Sequence, residues 1–368
     1  MGDVSQAIDL AARPYRAPLA ERLAIRWNRL RRWEFWPAWL FYVPIVGYIL
    51  WLGLRFRQPT AFTASNPAFE SGGVVGESKA VALGALMERA KDLVASFDLL
   101  PFEWPLAIRV ARAQAFVADR GYPVVLKPDI GSRGRGVAVI RDEAALIAYL
   151  TRASDDVLVQ RYIGGNEFGV FVYRRPEDGK PVIYSITQKC FPTVSGDGQR
   201  TLAQLIAADA RARLIAPLLW QRFATRLHEV PADGEVFPLV EIGAHCRGSL
   251  FLDASTLTSA KLSSAIGRVF EAIPGFHFGR LDLRCPSTTA LSTGRDLRIL
   301  EVNGVTAEAA HIYHPGAPLL AAYRSMFRQW RIAFEIGAAN AARGADITGP
   351  FELLRRFRAD LKRGQSWE

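Results

Sequence analysis

Cysteine is scarce in this sequence, with three in 368 residues: Cys190, Cys246 and Cys285. Their odd number and wide spacing exclude a disulfide framework and predict reduced thiols in a cytosol. The first thirty residues lack the apolar core and small-residue cleavage site of a signal peptide, so none is expected. Repeats and low-complexity tracts are absent too. With 50% hydrophobic and 22% charged residues, the chain is predicted to be globular, not disordered or collagen-like.

Acidic residues are in the minority, because 36 Asp and Glu face 46 Lys and Arg, which leaves a formal net charge of +10. This excess predicts anionic partners: nucleotide phosphates, nucleic acid or an acidic membrane surface. Zinc-finger spacing, RNP-like aromatics and a helix-turn-helix signature are all missing, so no nucleic acid is expected. The pattern GxxxxGK[ST] is missing as well, which excludes a Walker A loop.

One long apolar run is present, and it extends for twenty uncharged positions from Phe35 to Leu54. A helix of that length can cross the ~30 Å core of a bilayer, although Pro37, Pro44 and Gly47 interrupt it. The residues ahead of the run predict an interfacial amphipathic helix. Its apolar stripe is Leu19, Leu23, Trp27 and Leu30, and its basic stripe is Arg22, Arg26, Arg29 and Arg32.

The remaining chain predicts helices mixed with largely antiparallel strands, which is an α+β fold. We divide it into a membrane-associating segment (1–60), a mainly helical lead-in (61–120), a catalytic domain (121–345) and a basic C-terminal amphipathic helix (346–368). Strands are predicted at 122–128, 137–140, 157–163, 168–174, 182–189, 278–284 and 297–303, and helices at 142–152, 201–226, 255–272, 316–340 and 349–363.

The strongest local signal is VVLKPDIGSRGRGVAV, in which Lys127 ends a buried strand and Gly131, Gly134 and Gly136 punctuate the turn to the next. Glycine lets the backbone approach phosphates, and a strand-end lysine supplies a charge for them. A purely structural turn is an equally good interpretation of this hairpin alone.

Further on, VQRYIGGNEFG could present backbone groups to a base and the Glu167 carboxylate to ribose hydroxyls. Lys189 ends a later strand, where a second phosphate contact is expected.

A third element consists of GRLDLRC and LRILEVNGV, two strands that carry Asp282, Glu301 and Asn303. Alternation puts Glu301 and Asn303 on one face, where Asp282 of the neighbouring strand can meet them. Hard oxygen ligands suit Mg²⁺ bound to ATP phosphates, and such groups are costly to bury on apolar strands without a cation. Arg280 shares the face of Asp282 and could neutralise a transferring phosphoryl group.

From about Tyr122 to Pro315 the chain resembles the ATP-grasp superfamily, because KPDIGSRGRGV, VQRYIGGNEFG, ITQK, GRLDLR and LEVNG occur in that family's order. GDGQRTLAQLI and HEVPADGEV look like cyanophycin synthetase and D-alanine–D-alanine ligase relatives. The resemblance implies an ATP-grasp fold, with ATP held between two antiparallel-sheet lobes, and two Mg²⁺ ions. It assigns phosphate contacts to Lys127, Lys189 and the loop Gly131, Ser132, Arg133 and Gly134. Adenine contacts are assigned to Gln160, Arg161, Tyr162 and Ile163, and the ribose contact to Glu167. Mg²⁺ is assigned to Asp282, Glu301 and Asn303, while Arg280, which would stabilise the acyl phosphate, and Lys189 are expected to be catalytic.

The sequence departs from the family pattern at Gln160, where many relatives have a glutamate, and in lacking the preceding α/β domain that usually helps to bind the carboxylate. Lys79, in GESKAV, is equally compatible with the family's early phosphate-binding lysine and with an ordinary surface lysine. His245 and Arg247, in GAHCRGSLFLD, are predicted to face the substrate, with Arg247 in a catalytic role.

Three functions are consistent with this pattern. The first is a ligase that activates a carboxylate as an acyl phosphate and transfers it to an amine. The second is an ATP-grasp kinase that phosphorylates a lipid or small-molecule acceptor. The third is a non-catalytic nucleotide-binding scaffold, against which the full set of metal ligands argues.

The apolar segment bears on where the reaction takes place. Seven arginines precede the run, and this bias favours a cytoplasmic N-terminus. A single span would then place the ATP-binding region outside, away from ATP. Monotopic insertion into one leaflet resolves the conflict and predicts a peripheral or monotopic protein at the cytoplasmic face of the inner membrane. The expected substrate is a lipid, an envelope precursor or an envelope-bound peptide. A true span and a buried helical hairpin stay open as alternatives for the segment.

Overall fold

The computed structural model describes residues 19–131, 134–177, 179–240, 243 and 248–365. The chain forms two compact units. The smaller contains the described residues up to Val43 together with Cys190–Leu250, and the larger contains Pro44–Lys189 and the chain from Phe251 onward.

Helices and strands mix throughout the described chain, which confirms the predicted α+β fold class. The α-helices are α1 (Leu19–Leu30), α2 (Ala38–Arg55), α3 (Lys79–Arg89), α4 (Leu106–Arg120), α5 (Glu143–Arg152), α6 (Leu202–Ala208), α7 (Ala216–Arg222), α8 (Ala260–Ala272), α9 (Thr288–Ser292), α10 (Leu319–Ala341) and α11 (Pro350–Gln365). The strands are β1 (Phe97–Leu100), β2 (Val124–Pro128), β3 (Ala138–Ile140), β4 (Val157–Arg161), β5 (Asn166–Arg174), β6 (Pro181–Cys190), β7 (Thr193–Ser195), β8 (Val236–Pro238), β9 (Leu250–Asp253), β10 (Phe278–Cys285) and β11 (Arg298–Asn303).

A four-stranded sheet in the larger unit has the order β1-β4-β2-β3, and its pairs are antiparallel. Its strands are apolar and β-branched, as in VVLKP and VLVQR, which suits a sheet that is covered on one face. Helices α4 and α5 cover that face through a core that includes Phe116, Leu146 and Leu150. The opposite face is therefore left for polar side chains such as Lys127.

A five-stranded sheet in the same unit has the order β11-β10-β5-β6-β9. One face is apolar and packs on α3 and α8 through residues such as Phe168, Leu281 and Ile266. The other face carries charged residues at one end of the strands. Further along, it is covered by α2 and α10, with Leu52, Phe171 and Phe334 in a shared core.

The smaller unit has its own core, in which Ile25 of α1 packs with residues of α6, α7 and the two-stranded sheet of β7 and β8. Helix α6 begins with a capping box between Thr201 and Gln204, which satisfies two free backbone amides of its first turn. The domain boundaries proposed from the sequence stay a prediction.

The predicted hairpin of β2 and β3, the pairing of β5 with β6, and strands β10 and β11 are confirmed. The mainly helical lead-in also contains a strand, β1, which was not predicted from the sequence. One expectation was wrong: the helix predicted at 201–226 is broken. The break has a local cause: Asp209 Oδ1 accepts the amides of Arg211 and Ala212, so its side chain competes with helical hydrogen bonding.

Candidate active site

The strand register arranges the polar face of the five-stranded sheet into three rows of residues. Directly opposed positions on antiparallel strands bring their Cβ atoms to about 5 Å from each other. The rows, each read across β10, β5 and β6, are Arg284, Glu167 and Lys189; then Asp282, Gly169 and Thr187; then Arg280, Phe171 and Ser185. On β11, Glu301 lies opposite Asp282 and Asn303 opposite Arg280.

Glu167 is held by two cations in the first row. Lys189 Nζ donates to Glu167 Oε1 at 3.0 Å, and Arg284 Nε donates to Glu167 Oε2 at 2.9 Å. Arg284 also donates to the carbonyl of Ile163 at 2.7 Å and stacks over the Tyr162 ring. The residues predicted to contact ribose and adenine are therefore fixed to one another by Arg284.

Asp282 is the central carboxylate of the second row. Arg280 binds it with a two-pronged contact, Nε to Oδ1 at 2.8 Å and Nη2 to Oδ2 at 3.1 Å, while Lys189 Nζ lies 3.2 Å from Oδ2. Burial alone would raise the pKa of Asp282, but Arg280 and Lys189 hold it below its usual range. Burial opposes the charge of Lys189, yet Asp282 and Glu167 raise its pKa. Both groups are thus charged at neutral pH.

Lys127 joins the two sheets. From β2 of the four-stranded sheet its Nζ donates to Gln160 Oε1 at 2.9 Å and to the carbonyl of Leu300, on β11 of the five-stranded sheet, at 2.8 Å. Burial lowers the pKa of Lys127 to about 8 despite the opposing effect of Glu301. An anion at this ammonium would favour its charged form.

Lys79 lies at the start of α3, close to the glycine-rich loop. Its Nζ donates to the carbonyls of Asp129 at 3.0 Å and Gly131 at 2.9 Å, and it lies 3.6 Å from Glu301 Oε1. Its side chain is buried, so Lys79 is not an ordinary surface lysine. Gly134 has φ +71°, a backbone conformation that glycine adopts without a steric cost.

Most of the predicted side chains converge, with two kinds of exception. The side chain of Arg161 is exposed and, by alternation along β4, lies on the other face from Gln160. Ser132, Arg133, His245 and Arg247 lie outside the described residues, so their predicted roles stay predictions. Lys127 interacts electrostatically with both the Lys79–Glu301 pair and the cluster of Asp282 and Glu167. The resulting electrostatic network contains Lys79, Lys127, Gln160, Glu167, Lys189, Arg280, Asp282, Glu301 and Asn303.

Two members of the site were not predicted from the sequence. Arg284 shares the alternation of Arg280 and Asp282 in GRLDLR, so the spacing could have identified it. Glu77 had no comparable signal: its Oε2 accepts the amide of Gly304, just after Asn303, at 3.1 Å. Burial raises the pKa of Glu77 to about 8, and Oε1 has no hydrogen-bond partner among the described residues.

The donor set at Asp282, Glu301 and Asn303 fits a magnesium ion. It offers two carboxylates and an amide oxygen, and Asn303 Nδ2 lies 3.4 Å from Asp282 Oδ2. Within the described chain no three His, Cys, Asp or Glu side chains cluster as a metal site. Mg²⁺ ordinarily uses one or two carboxylates together with substrate phosphates, so this sparse protein set suits an ion that arrives with a nucleotide.

Comparisons with known proteins show what this part of the chain is similar to. Residues 101–166 match the family model described as carbamoyl-phosphate synthase L chain, ATP binding domain. That segment contains Lys127, the glycine-rich loop and Gln160. Cyanophycin synthetase from Trichormus variabilis is 38% identical over 212 residues, which are 52% of this chain and 23% of that protein.

The corresponding enzyme from Geminocystis herdmanii is 25% identical over 222 residues, covering 54% of this chain and 25% of that protein. The chain thus spans about a quarter of the length of these curated relatives. These matches confirm the resemblance to the ATP-grasp superfamily.

Solved structures give a looser likeness. D-alanine–D-alanine ligase from Bacillus anthracis complexed with ATP is 13% identical, with a TM-score of 0.40 over 76% of this chain and 71% of that one. A bifunctional glutathione synthetase from Pasteurella multocida is 16% identical, with a TM-score of 0.36 over 70% of this chain and 38% of that one.

Proposed function

We propose that this protein is an ATP- and Mg²⁺-dependent ligase that joins a carboxylate to an amine through an acyl phosphate. The observation that carries the proposal is the electrostatic network described above, in which basic side chains outnumber carboxylates. Such a surplus suits a polyphosphate. The five basic members are Lys79, Lys127, Lys189, Arg280 and Arg284, and the four carboxylates are Glu77, Glu167, Asp282 and Glu301.

The contacts support a role for each group. Lys79 and Lys127 bind nucleotide phosphates in place of the backbone carbonyls that they contact here, while Gln160 to Ile163 and Glu167 bind adenosine. Asp282, Glu301 and Asn303 hold Mg²⁺, which neutralises phosphate charge. Lys189 stays protonated between Glu167 and Asp282, so it presents a fixed positive charge to the reacting groups.

The reaction needs no enzyme nucleophile. A substrate carboxylate attacks the γ-phosphorus in line, ADP leaves, and an amine then attacks the acyl carbon and displaces phosphate. Arg280 is held by Asp282, and its Nη1 donates to the carbonyl of Glu308 at 3.2 Å. Arg280 is therefore fixed in orientation before charge develops on the transferring group.

The test follows the γ-phosphate by ³¹P NMR. Purified protein is incubated with Mg-ATP, an amino-acid pool and a membrane lipid extract. Release of free phosphate that requires both a carboxylate and an amine supports the ligase. A phosphate ester on an acceptor would make the protein a kinase, and nucleotide binding without turnover would make it a scaffold.

Variants connect this readout to the site. Asp282→Asn, Glu301→Gln and Lys127→Ala should each abolish turnover and retain the wild-type circular dichroism spectrum. Glu103→Gln, at an exposed position outside the network, is the matched control and should turn over as wild type. Activity in an Asp282→Asn/Glu301→Gln double variant would refute the assignment.

We further propose monotopic attachment at the cytoplasmic face of the inner membrane. Among the described residues, α2 is the one helix long and apolar enough to span a bilayer, and 22% of it is buried. Ile45 and Leu52 on one side are buried, whereas Val46, Leu50 and Leu54 on the other are exposed. A helix that packs on protein along one side and exposes an apolar opposite side suits a helix lying in one leaflet.

The attachment test keeps the buried side intact. Val46→Ser/Leu50→Ser should lower flotation of the protein with vesicles, because it removes exposed apolar area without touching Leu52. Vesicle binding at the wild-type level, or protease digestion that shows the two ends of α2 on opposite sides of a membrane, would contradict monotopic attachment.

A further inference from the structure

The C-terminal helix α11 exposes a continuous apolar stripe. Phe351 is 90% exposed and Leu361 54% exposed, and two further large apolar residues lie between them. At 3.6 residues per turn, the four positions fall within an arc of about 120° on the helix surface. The stripe consists of Phe351, Leu354, Phe357 and Leu361.

The opposite side of α11 fixes how the helix is presented. Leu353 packs against the core shared by α2 and α10. Arg356 Nη1 lies 2.9 Å from Glu70 Oε1 and donates to Ser71 Oγ at 3.1 Å. These contacts hold α11 against the larger unit by its other face. The apolar stripe therefore points away from the larger unit.

Basic residues lie along the Phe351 edge of the stripe: at 3.6 residues per turn, Arg358 falls about 20° inside that edge, and Lys362 and Arg355 lie just outside it. Arg355 is ion-paired with Glu352 at 2.7 Å, whereas neither Arg358 nor Lys362 forms an ion pair with any residue that the structure describes. The helix contains five basic and two acidic residues. An apolar stripe with cations along its edge is the pattern of a helix that lies in the headgroup region of an anionic bilayer.

We propose that α11 is a lipid-docking helix: its stripe enters the boundary between headgroups and acyl chains, and Arg358 and Lys362 contact lipid phosphates. Charge favours a membrane over a second copy of this chain, since two such helices packed together would bring like charges into contact. The proposal does not depend on the ATP site, so it can fail or succeed independently of the proposed ligase activity.

The experiment measures vesicle binding and hydrogen exchange on the full-length protein. Vesicles contain phosphatidylcholine alone or with about 30% phosphatidylglycerol, a mimic of an anionic leaflet. With the anionic vesicles, the amides of residues 350–365 should exchange more slowly than in buffer. Inorganic phosphate at equal phosphate concentration should give no protection.

Three double variants separate the apolar and the electrostatic contributions to vesicle binding from a control. Phe351→Ser/Leu354→Ser should weaken vesicle binding by at least about tenfold, because two large side chains no longer leave water. Arg358→Gln/Lys362→Gln should weaken binding by about tenfold at low salt and reduce its salt dependence. Leu320→Ser/Val230→Ser, which changes exposed apolar residues outside the stripe, should bind as wild type.

Four results would overturn the proposal. Vesicle binding without protection of residues 350–365 would leave attachment to α2 alone. Protection without vesicles that rises with protein concentration would assign the stripe to a second copy. Equal protection by inorganic phosphate would indicate a simple anion site, and equal loss in the control variant would indicate non-specific apolar binding.

Discussion

Gly169 lies directly under the side chain of Arg280: a Cβ atom at position 169 would be 3.0 Å from Arg280 Cδ and 3.2 Å from Asp282 Oδ1. Both contacts are too close for a carbon atom unless the neighbour moves. Gly169 is therefore the position at which the sheet makes room for the two-pronged contact between Arg280 and Asp282.

Gly169→Ala should displace the Arg280 guanidinium and lower the ligation rate by at least about tenfold, because charge stabilisation depends on fixed geometry. The fold should persist, since alanine is tolerated in a strand. The measurement is the rate of phosphate release at saturating ATP, with the unfolding midpoint recorded in parallel.

Gly84→Ala is the matched control, because no atom lies within 4 Å of a Cβ there. It replaces a glycine inside α3 and should stabilise the protein by roughly 0.5–1 kcal/mol with unchanged activity. Wild-type activity in Gly169→Ala would show that Arg280 tolerates displacement and has no orienting role.

Arg284→Lys tests the residue that fixes the proposed nucleoside site. Arginine contacts Glu167 and the Ile163 carbonyl simultaneously, and lysine cannot reproduce that planar fork. We expect the dissociation constant for ATP, measured by calorimetry, to rise about tenfold. Arg295→Lys, at an exposed position, should leave it unchanged, and an equal effect of the two substitutions would refute the assignment.

The sequence predicted the strands of this site well because each carries a local signal. Alternation in GRLDLR and LEVNG placed Asp282, Glu301 and Asn303 on facing positions, and the register confirms that geometry. The contacts made by Lys189 depend on three strands in register, so no local pattern could show that its ammonium lies between Glu167 and Asp282. The space that Gly169 leaves for Arg280 is likewise a property of packing.

Strand β1 and the break in the helix at 201–226 were not predicted from the sequence, and the two have different physical reasons. β1 is four residues at the edge of its sheet and pairs with β4, which lies far along the chain. Such long-range pairing stabilises a segment whose own sequence is equally compatible with a helix. The helix break at Asp209 could have been predicted from the sequence. Aspartate side chains compete for backbone amides, and Pro217 lies at the start of α7, where proline is common.

Gln329→Met tests the support of the segment that follows the Asn303 turn. The buried Gln329 amide accepts from Ala309 N at 3.1 Å and donates to the Ala307 carbonyl at 2.7 Å. Leaving those backbone groups unpaired should cost roughly 1–3 kcal/mol each in the free energy of unfolding. Urea denaturation measures this loss, and Gln199→Met, at an exposed position, should show none.

Glu308 gives a pH-dependent prediction, because its backbone carbonyl holds Arg280 while its carboxyl group is buried. Tyr313 Oη donates to Glu308 Oε2 at 2.9 Å, yet burial raises the pKa of Glu308 to about 7 from 4.5. The folded protein therefore retains a proton that the unfolded chain releases above pH 4.5. This contribution to stability is full below pH 4.5 and is lost as pH rises through about 7.

Urea denaturation at pH 6 and pH 8 measures this effect. Glu77, whose pKa is raised to about 8, also lowers the free energy of unfolding as pH rises towards 8. Lys127, whose pKa is lowered to about 8, raises the free energy of unfolding only as pH rises above about 8. The wild-type free energy of unfolding should therefore fall between the two pH values. Glu308→Gln should reduce that fall and Glu103→Gln should not. Equal falls in all three proteins would mean that Glu308 is ionised in the folded state at both pH values.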